Sequence, residues 1–320
     1  TAGTSRTGRR VFSAVASLSL LTGVLVGCSS SSGGAGGTLT FLTNAESWTH
    51  ADPNRNYTGQ HIAWFGSYMH RTLTAYKRAA GADGSTVVPD MATDTGRSSN
   101  GNKTWEFTLR DGVTFEDGSE VTCEDVKYGV SRTFATDVIT DGPGYAISML
   151  DIPKDKDGSS AYKGPYKKTG QALFDKSINC SSDNRTITFN LSRTVPDFNY
   201  YLTYLAGGPV PKAKDTGDKY DLRPMASGPY MIKKYAINDE MVLVRNPNWK
   251  KSSDPIRTPY PDDIVVKFGM DEDLRDQLDM DDEIPNGINL DGLQPTNNVA
   301  FFENDKYKNR RMNNYDPYTS

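Results

Sequence analysis

Apolar and polar positions alternate along much of this chain, and the period of the alternation changes from one segment to the next. Thr38-Leu39-Thr40-Phe41-Leu42 reads as a first strand, because strand side chains point to opposite faces in turn. Residues 61–76 (HIAWFGSYMHRTLTAY) carry apolar side chains at helical spacing, which predicts a helix over the stretch. Trp105-Glu106-Phe107-Thr108-Leu109 alternates again and runs into an Arg110-Asp111-Gly112 turn. Val113-Thr114-Phe115 then leads to a second turn at Glu116-Asp117-Gly118-Ser119. Thr122 offers the side-chain oxygen of an N-cap. Glu124 and Asp125 place negative charge at the positive end of a helix that continues through Val126, Tyr128 and Val130 to Arg132. Strand patterns recur at residues 185–191 (RTITFNL), 228–235, 241–245 and 264–268, so the pattern predicts a mixed α/β protein.

One apolar run follows neither period. It extends from Val11 to Val26 behind Arg6, Arg9 and Arg10, and it is short for a membrane span. It reads as a secretion signal, the alternative being an uncleaved amphipathic segment. Leu25-Val26-Gly27-Cys28 resembles the bacterial lipobox, in which small residues expose the bond before a cysteine whose thiol takes a diacylglyceryl group. Cys28 is then the lipidated first residue of the mature chain. Arg9-Arg10-Val11-Phe12 also fits the twin-arginine pattern, so export runs by the Sec or the twin-arginine route. Residues 29–37 (SSSSGGAGG) form a flexible tether between residues 1–28 and the folded body.

Composition narrows the class. A net charge of −4 gives no footprint for nucleic acid, and no later segment is apolar enough to span a bilayer. The body is long enough for roughly two domains. Of the three cysteines, Cys28 is assigned to lipid, which leaves Cys123 and Cys180. In an exported chain the even remainder reads as one disulfide, the alternative being two separate buried thiols. His50, His61 and His70 are too widely spaced for a local metal motif, and no HExxH, GxSxG or Walker A sequence occurs. Neither an enzyme activity nor a cofactor is expected.

Residues 105–132, WEFTLRDGVTFEDGSEVTCEDVKYGVSR, resemble the signature of the solute receptors of ABC importers in the oligopeptide/dipeptide/nickel group, extracellular solute-binding protein family 5. That signature is a Phe-x-Leu-Arg strand, an Asp-Gly turn, a Phe-x-Asp-Gly turn and a helix beginning at Asp-Val. Further matches in the family's order are Asp52-Pro53, Pro209-Val210-Pro211-Lys212, Ser227-Gly228-Pro229-Tyr230 and Val244-Arg245-Asn246-Pro247-Asn248-Trp249. The resemblance runs from Leu39 to about Asp282. It implies a fold like that of type II periplasmic binding proteins, with mixed sheets and flanking helices. Residues 38–65 and 195–270 would make lobe I, residues 66–194 lobe II, and residues 271–320 the start of an incomplete lobe III. The chain is therefore expected to be the front part of a longer protein or a natural truncation.

The function implied by the resemblance is capture of a small peptide at the outer face of the bacterial cell membrane. The expected partners are ABC permease subunits with cytoplasmic ATPases and, through the lipid anchor, the membrane; the receptor is expected to be a monomer. Alternatives are the same fold binding a nickel chelate or a sugar, or a surface sensor or adhesion lipoprotein. In such receptors the ligand sits between lobes I and III. Candidate contacts on the lobe I side are Ser47 and Trp48, which follow the first strand, and Ser227 and Gly228 near the hinge. Trp48 could stack on a ligand or pack the lobe interior, and Gly228 could admit a ligand or simply form a turn. The aromatic run at residues 197–204 (DFNYYLTY) has helical spacing and is expected to be core.

Overall fold

A computed structural model describes residues 35–310. The secretion signal, Cys28 and most of the tether lie outside the described residues. The elements in chain order are β1 (Thr38–Leu42), α1 (Gly59–Tyr68), β2 (Thr74–Tyr76), β3 (Val87–Pro89), β4 (Arg97–Ser99) and β5 (Thr104–Thr108). There follow α2 (Cys123–Arg132), α3 (Tyr145–Met149), α4 (Gln171–Ser177), β6 (Ile178–Cys180), β7 (Thr186–Asn190) and α5 (Phe198–Tyr201). The last are β8 (Tyr230–Tyr235), β9 (Glu240–Arg245), β10 (Asp263–Lys267), α6 (Glu272–Asp281), β11 (Gly287–Asn289) and α7 (Pro295–Glu303).

These elements build two hydrophobic cores. The first lies against a five-stranded sheet in the order β11-β1-β10-β9-β8 and contains Phe41, Trp64, Phe65, Met241, Ile264 and Val266. β1 runs parallel to both neighbours, β10 and β11, while β10-β9-β8 is antiparallel. The second core lies against a four-stranded antiparallel sheet in the order β4-β5-β7-β6. Trp105 and Phe107 of β5 point to one face and oppose Phe189 and Ile187 of β7, so the alternation read from the sequence becomes a buried ladder of apolar pairs. α2 covers this sheet. Its N-terminus is closed by a capping box in which Thr122 Oγ1 accepts from the Asp125 N–H and the Asp125 carboxylate accepts from the Thr122 N–H. Cys123, the first residue of α2, is bonded to Cys180 of β6, with Cα atoms 5.7 Å apart.

The structure departs from the sequence pattern in three places. α1 ends at Tyr68 rather than continuing to residue 76. The Met69 carbonyl, which a longer helix would use internally, accepts the N–H groups of Ser227 and Gly228 instead, and residues 74–76 pair with β3. The chain crosses to the second core between Met69 and Leu73 and returns between Leu202 and Leu205, later than the expected 194/195 boundary. The return is late because Phe198 of α5 packs on Trp105 and Phe189, at centroid separations of 6.2 Å and 5.2 Å. Finally, residues 271–310 do not all stand apart as a third lobe, since β11 extends the first sheet beside β1. No helix among the described residues is long and apolar enough to cross a membrane.

Candidate functional site: a tyrosine-lined face along one helix

The segment after β1 is fixed by charge. Asp52 is fully buried and receives two hydrogen bonds from the Arg132 guanidinium of α2, each 2.7 Å long. Asn54 accepts a third from Arg132 and donates to the Gly129 carbonyl at 2.8 Å. On the far side Asp215 accepts from Arg132 Nε, Tyr128 and Tyr166. Burial opposes the charge on Arg132, but hydrogen bonding and attraction from Asp52 and Asp215 outweigh it and raise its pKa. A second buried cluster holds the crossing between Met69 and Leu73. Arg71 and Arg257 share Asp90 and Asp254, with Arg71 Nε 2.9 Å from Asp90 and Arg257 Nη1 3.2 Å from Asp254. Burial alone would push the Asp254 carboxyl up, and the two guanidiniums hold it at about 2. The first cluster ties the segment before α1 to α2, and the second ties the crossing at Arg71 to Asp90 and to the Asp254–Arg257 segment.

Between these locks the surface is open. The hydroxyls of Tyr57, just before α1, and Tyr145, in α3, are 2.7 Å apart, and the rings of both pack on Tyr204 at 6.3 Å and 5.3 Å. Tyr57 is 48% exposed. Two hollows flank this trio along α1. One, about 280 Å³, is lined by His50, Arg55, Tyr57, Thr58, His61 and Asp141 among others. There His50 Nδ1 lies 2.6 Å from Asp221 and 3.6 Å separates its Nε2 from Asp141, while burial and the nearby His50 lower the pKa of His61. The other, about 510 Å³, is walled among others by Ile62, Ala63 and Gly66 of α1, by Leu205, by Tyr76 at the end of β2 and by Arg78 beyond it. Its size falls in the usual range for small-molecule sites. The face offers hydroxyls, imidazoles, carboxylates and a guanidinium over an apolar floor, a set suited to binding. Among the described residues no group of three or more His, Cys, Asp and Glu could hold a metal ion.

The residues picked from the sequence are placed differently. Trp48 is 4% exposed, and its ring packs against Trp64, Phe65 and Phe268 at 4.8 Å, 5.9 Å and 5.9 Å, so no ring face is offered to a ligand. Ser227 is buried, and its hydroxyl accepts the Arg71 N–H at 3.1 Å. Gly228 is also buried; a Cβ there would stand 2.8 Å from the Tyr68 carbonyl oxygen, so its bareness serves the close approach of α1. Ser47 alone of the four is partly open. The tyrosine trio escaped the sequence reading because its members come from three separate regions with no shared motif. The only available signal was Tyr57 itself, an aromatic in an otherwise polar loop after Asp52-Pro53.

Comparison with known proteins agrees with this architecture. The profile of bacterial extracellular solute-binding proteins, family 5 middle, matches residues 86–318. The solved structure of clavulanic acid biosynthesis oligopeptide binding protein 2 is 34% identical and superposes with a TM-score of 0.76, covering 85% of this chain and 47% of that one. The periplasmic murein peptide-binding protein MppA of Escherichia coli is 27% identical over 174 residues, 51% of this chain and 29% of its own. The periplasmic oligopeptide-binding protein OppA of Salmonella typhimurium is 29% identical over 151 residues, 46% of this chain and 26% of its own. The chain thus spans less than half of the solved relative, and its matched segments less than a third of these two curated ones. With the profile matched over most of its length, the chain belongs to the bacterial extracellular solute-binding proteins of family 5.

Proposed function

We propose that the protein captures peptides outside the cytoplasm and delivers them to an ABC permease, held to the membrane by lipid on Cys28. The observation that carries this reading is the open face along α1, where the Tyr57, Tyr145 and Tyr204 trio sits between two hollows of about 280 and 510 Å³. Phenol rings give apolar contact at low entropic cost, and their hydroxyls can meet peptide backbone groups. Ser47, partly open in the same post-β1 segment, is retained as a proposed contact. The relatives are named for binding oligopeptides and murein peptides, which supports peptides over other solutes. The test is mass spectrometry of small molecules that copurify with the protein from its host. Peptides enriched over a Tyr57→Ala/Tyr145→Ala variant support the reading, while a nickel chelate, a sugar or no enrichment overturns it. For the anchor, Cys28→Ala is expected to abolish incorporation of labelled palmitate, and retained label would reject Cys28 as the lipid site.

A further inference from the structure

Three cations line the larger hollow beside α1, and their charges are not equally answered. Arg257 is neutralised within its buried quartet, where Arg71 and Arg257 face Asp90 and Asp254. Lys77 is paired with Asp83 at 2.6 Å. Arg78 differs: its one hydrogen bond among the described residues runs from Nη1 to Ser67 Oγ, 2.7 Å, and it has no ion pair there. The Ser67 hydroxyl in turn donates to the Ala63 carbonyl at 2.5 Å, so α1 fixes the direction of the guanidinium without neutralising it. Arg78 is exposed at the mouth of the hollow, where desolvation by the surrounding protein and repulsion from Arg257 lower its pKa against the weaker pull of Tyr68, Asp90 and Asp254, none of which it contacts by an ion pair among the described residues.

The rest of the wall is mostly apolar, with Thr72, Thr203 and Tyr76 adding hydroxyl-bearing side chains. Ile62, Ala63, Gly66, Ala75 and Leu205 share with Arg78 the wall of this hollow of about 510 Å³. A planar fork of N–H donors in the wall of a mostly apolar hollow matches a carboxylate carried on an apolar body, since the fork can take both oxygens at once. We propose that Arg78 anchors the carboxylate of the ligand, with the attached apolar group lying against α1. This rests on the peptide reading of the face and adds to it a ligand class: peptides whose charge is presented by the C-terminus or by an acidic side chain.

The test is calorimetric titration of the full chain, and of its Arg78→Ala and Arg78→Lys variants, with four probes. These are a tripeptide of alanine as the free acid, its carboxamide, the carboxamide of a tripeptide carrying one glutamate, and phenylpropionate. The wild type is expected to bind the free acid about tenfold or more tighter than the carboxamide, the scale of a charge-assisted pair. That preference disappears in Arg78→Ala and returns in part in Arg78→Lys. Recovery of affinity by the glutamate carboxamide identifies a side-chain source, and its failure identifies the C-terminus. Phenylpropionate bound by the wild type and lost in Arg78→Ala, with no peptide bound, keeps the anchor and removes the peptide reading. Equal binding of acid and carboxamide by the wild type, or no carboxylate probe bound, overturns the anchor. Since among the described residues Arg78 hydrogen-bonds only to Ser67, an unchanged melting temperature and far-UV spectrum establish that the variant is folded.

Discussion

Removing the Arg132 guanidinium leaves Asp52 and Asp215, exposed by 0% and 2%, without their shared counter-charge. Breaking a buried pair from one side costs about 3–5 kcal/mol, so Arg132→Met is expected to lower the urea midpoint severely. The double variant Arg132→Met/Asp52→Asn should recover part of that loss, and a strictly additive double variant would show that the two residues are not coupled. Two other buried residues set the acid response. The His70 ring donates from Nε2 to the Ala51 carbonyl, 3.0 Å away, and burial lowers its pKa from 6.5 to about 4. The unfolded chain therefore takes the proton first. Stability is complete above about pH 6.5 and falls as pH drops towards 4, by up to about 3 kcal/mol. Asp254 acts in a lower window: its pKa is held at about 2 against 3.8, so its contribution is present above about pH 4 and fades as pH falls through 2. Denaturation midpoints measured against pH should lose the upper slope in His70→Gln and the lower one in Asp254→Asn. An unchanged profile in either variant would reassign that window to another group.

At the scale of elements, α2 sets two rules against each other. Gly129 lies inside the helix, where alanine is favoured by about 1 kcal/mol on propensity. A Cβ at that position would sit 2.1 Å from the Gly208 carbonyl oxygen, a backbone atom that cannot swing aside. Overpacking of this kind costs about 1–3 kcal/mol, so Gly129→Ala is expected to destabilise the protein despite its propensity, as read by thermal melting. A raised melting temperature would mean that the segment around Gly208 gives way. Strand and helix periods made β1, β5, β7, the β8-β9 hairpin and the capped start of α2 legible in the sequence, because each depends on local alternation or a local cap. The end of α1 was not legible, since the groups that take the Met69 carbonyl come from Ser227 and Gly228, far along the chain. The three-residue strands β2, β3, β4, β6 and β11 carry too few positions to show a period. The candidate face was mostly illegible for the same reason: Tyr57, Tyr145 and Tyr204 meet only after both crossings are folded, whereas Trp48, the residue that stood out, is an interior aromatic.

At the scale of the whole molecule, the disulfide belongs to one core. Cys123 and Cys180 are 57 residues apart, and both pack with the second core. Closing a loop of that length stabilises by about 4 kcal/mol in the chain-entropy account, less any native strain. Reductant is therefore expected to weaken hydrogen-exchange protection in α2, β6 and β7 first. Protection around Phe41, Trp64 and Ile264 in the first core should persist to higher denaturant. Simultaneous loss in both regions would show that the cores unfold as one unit.

The pairing of β1 also has a consequence in time. Thr38 pairs with Asp263 and Thr40 with Gly287, while every fully buried apolar residue of the second core lies at or before Leu202. At about 5–20 residues per second, a ribosome takes roughly 10–45 s to make the stretch between β1 and β10. The strand made first is thus among the last to find its neighbours. During that interval its ladder groups stand open on both sides, the condition under which strands pair wrongly. A nascent chain of this protein would pass through a stage in which the later-made second core is finished while the earlier-made strand waits, which makes β1 the segment most in need of a holding partner during synthesis.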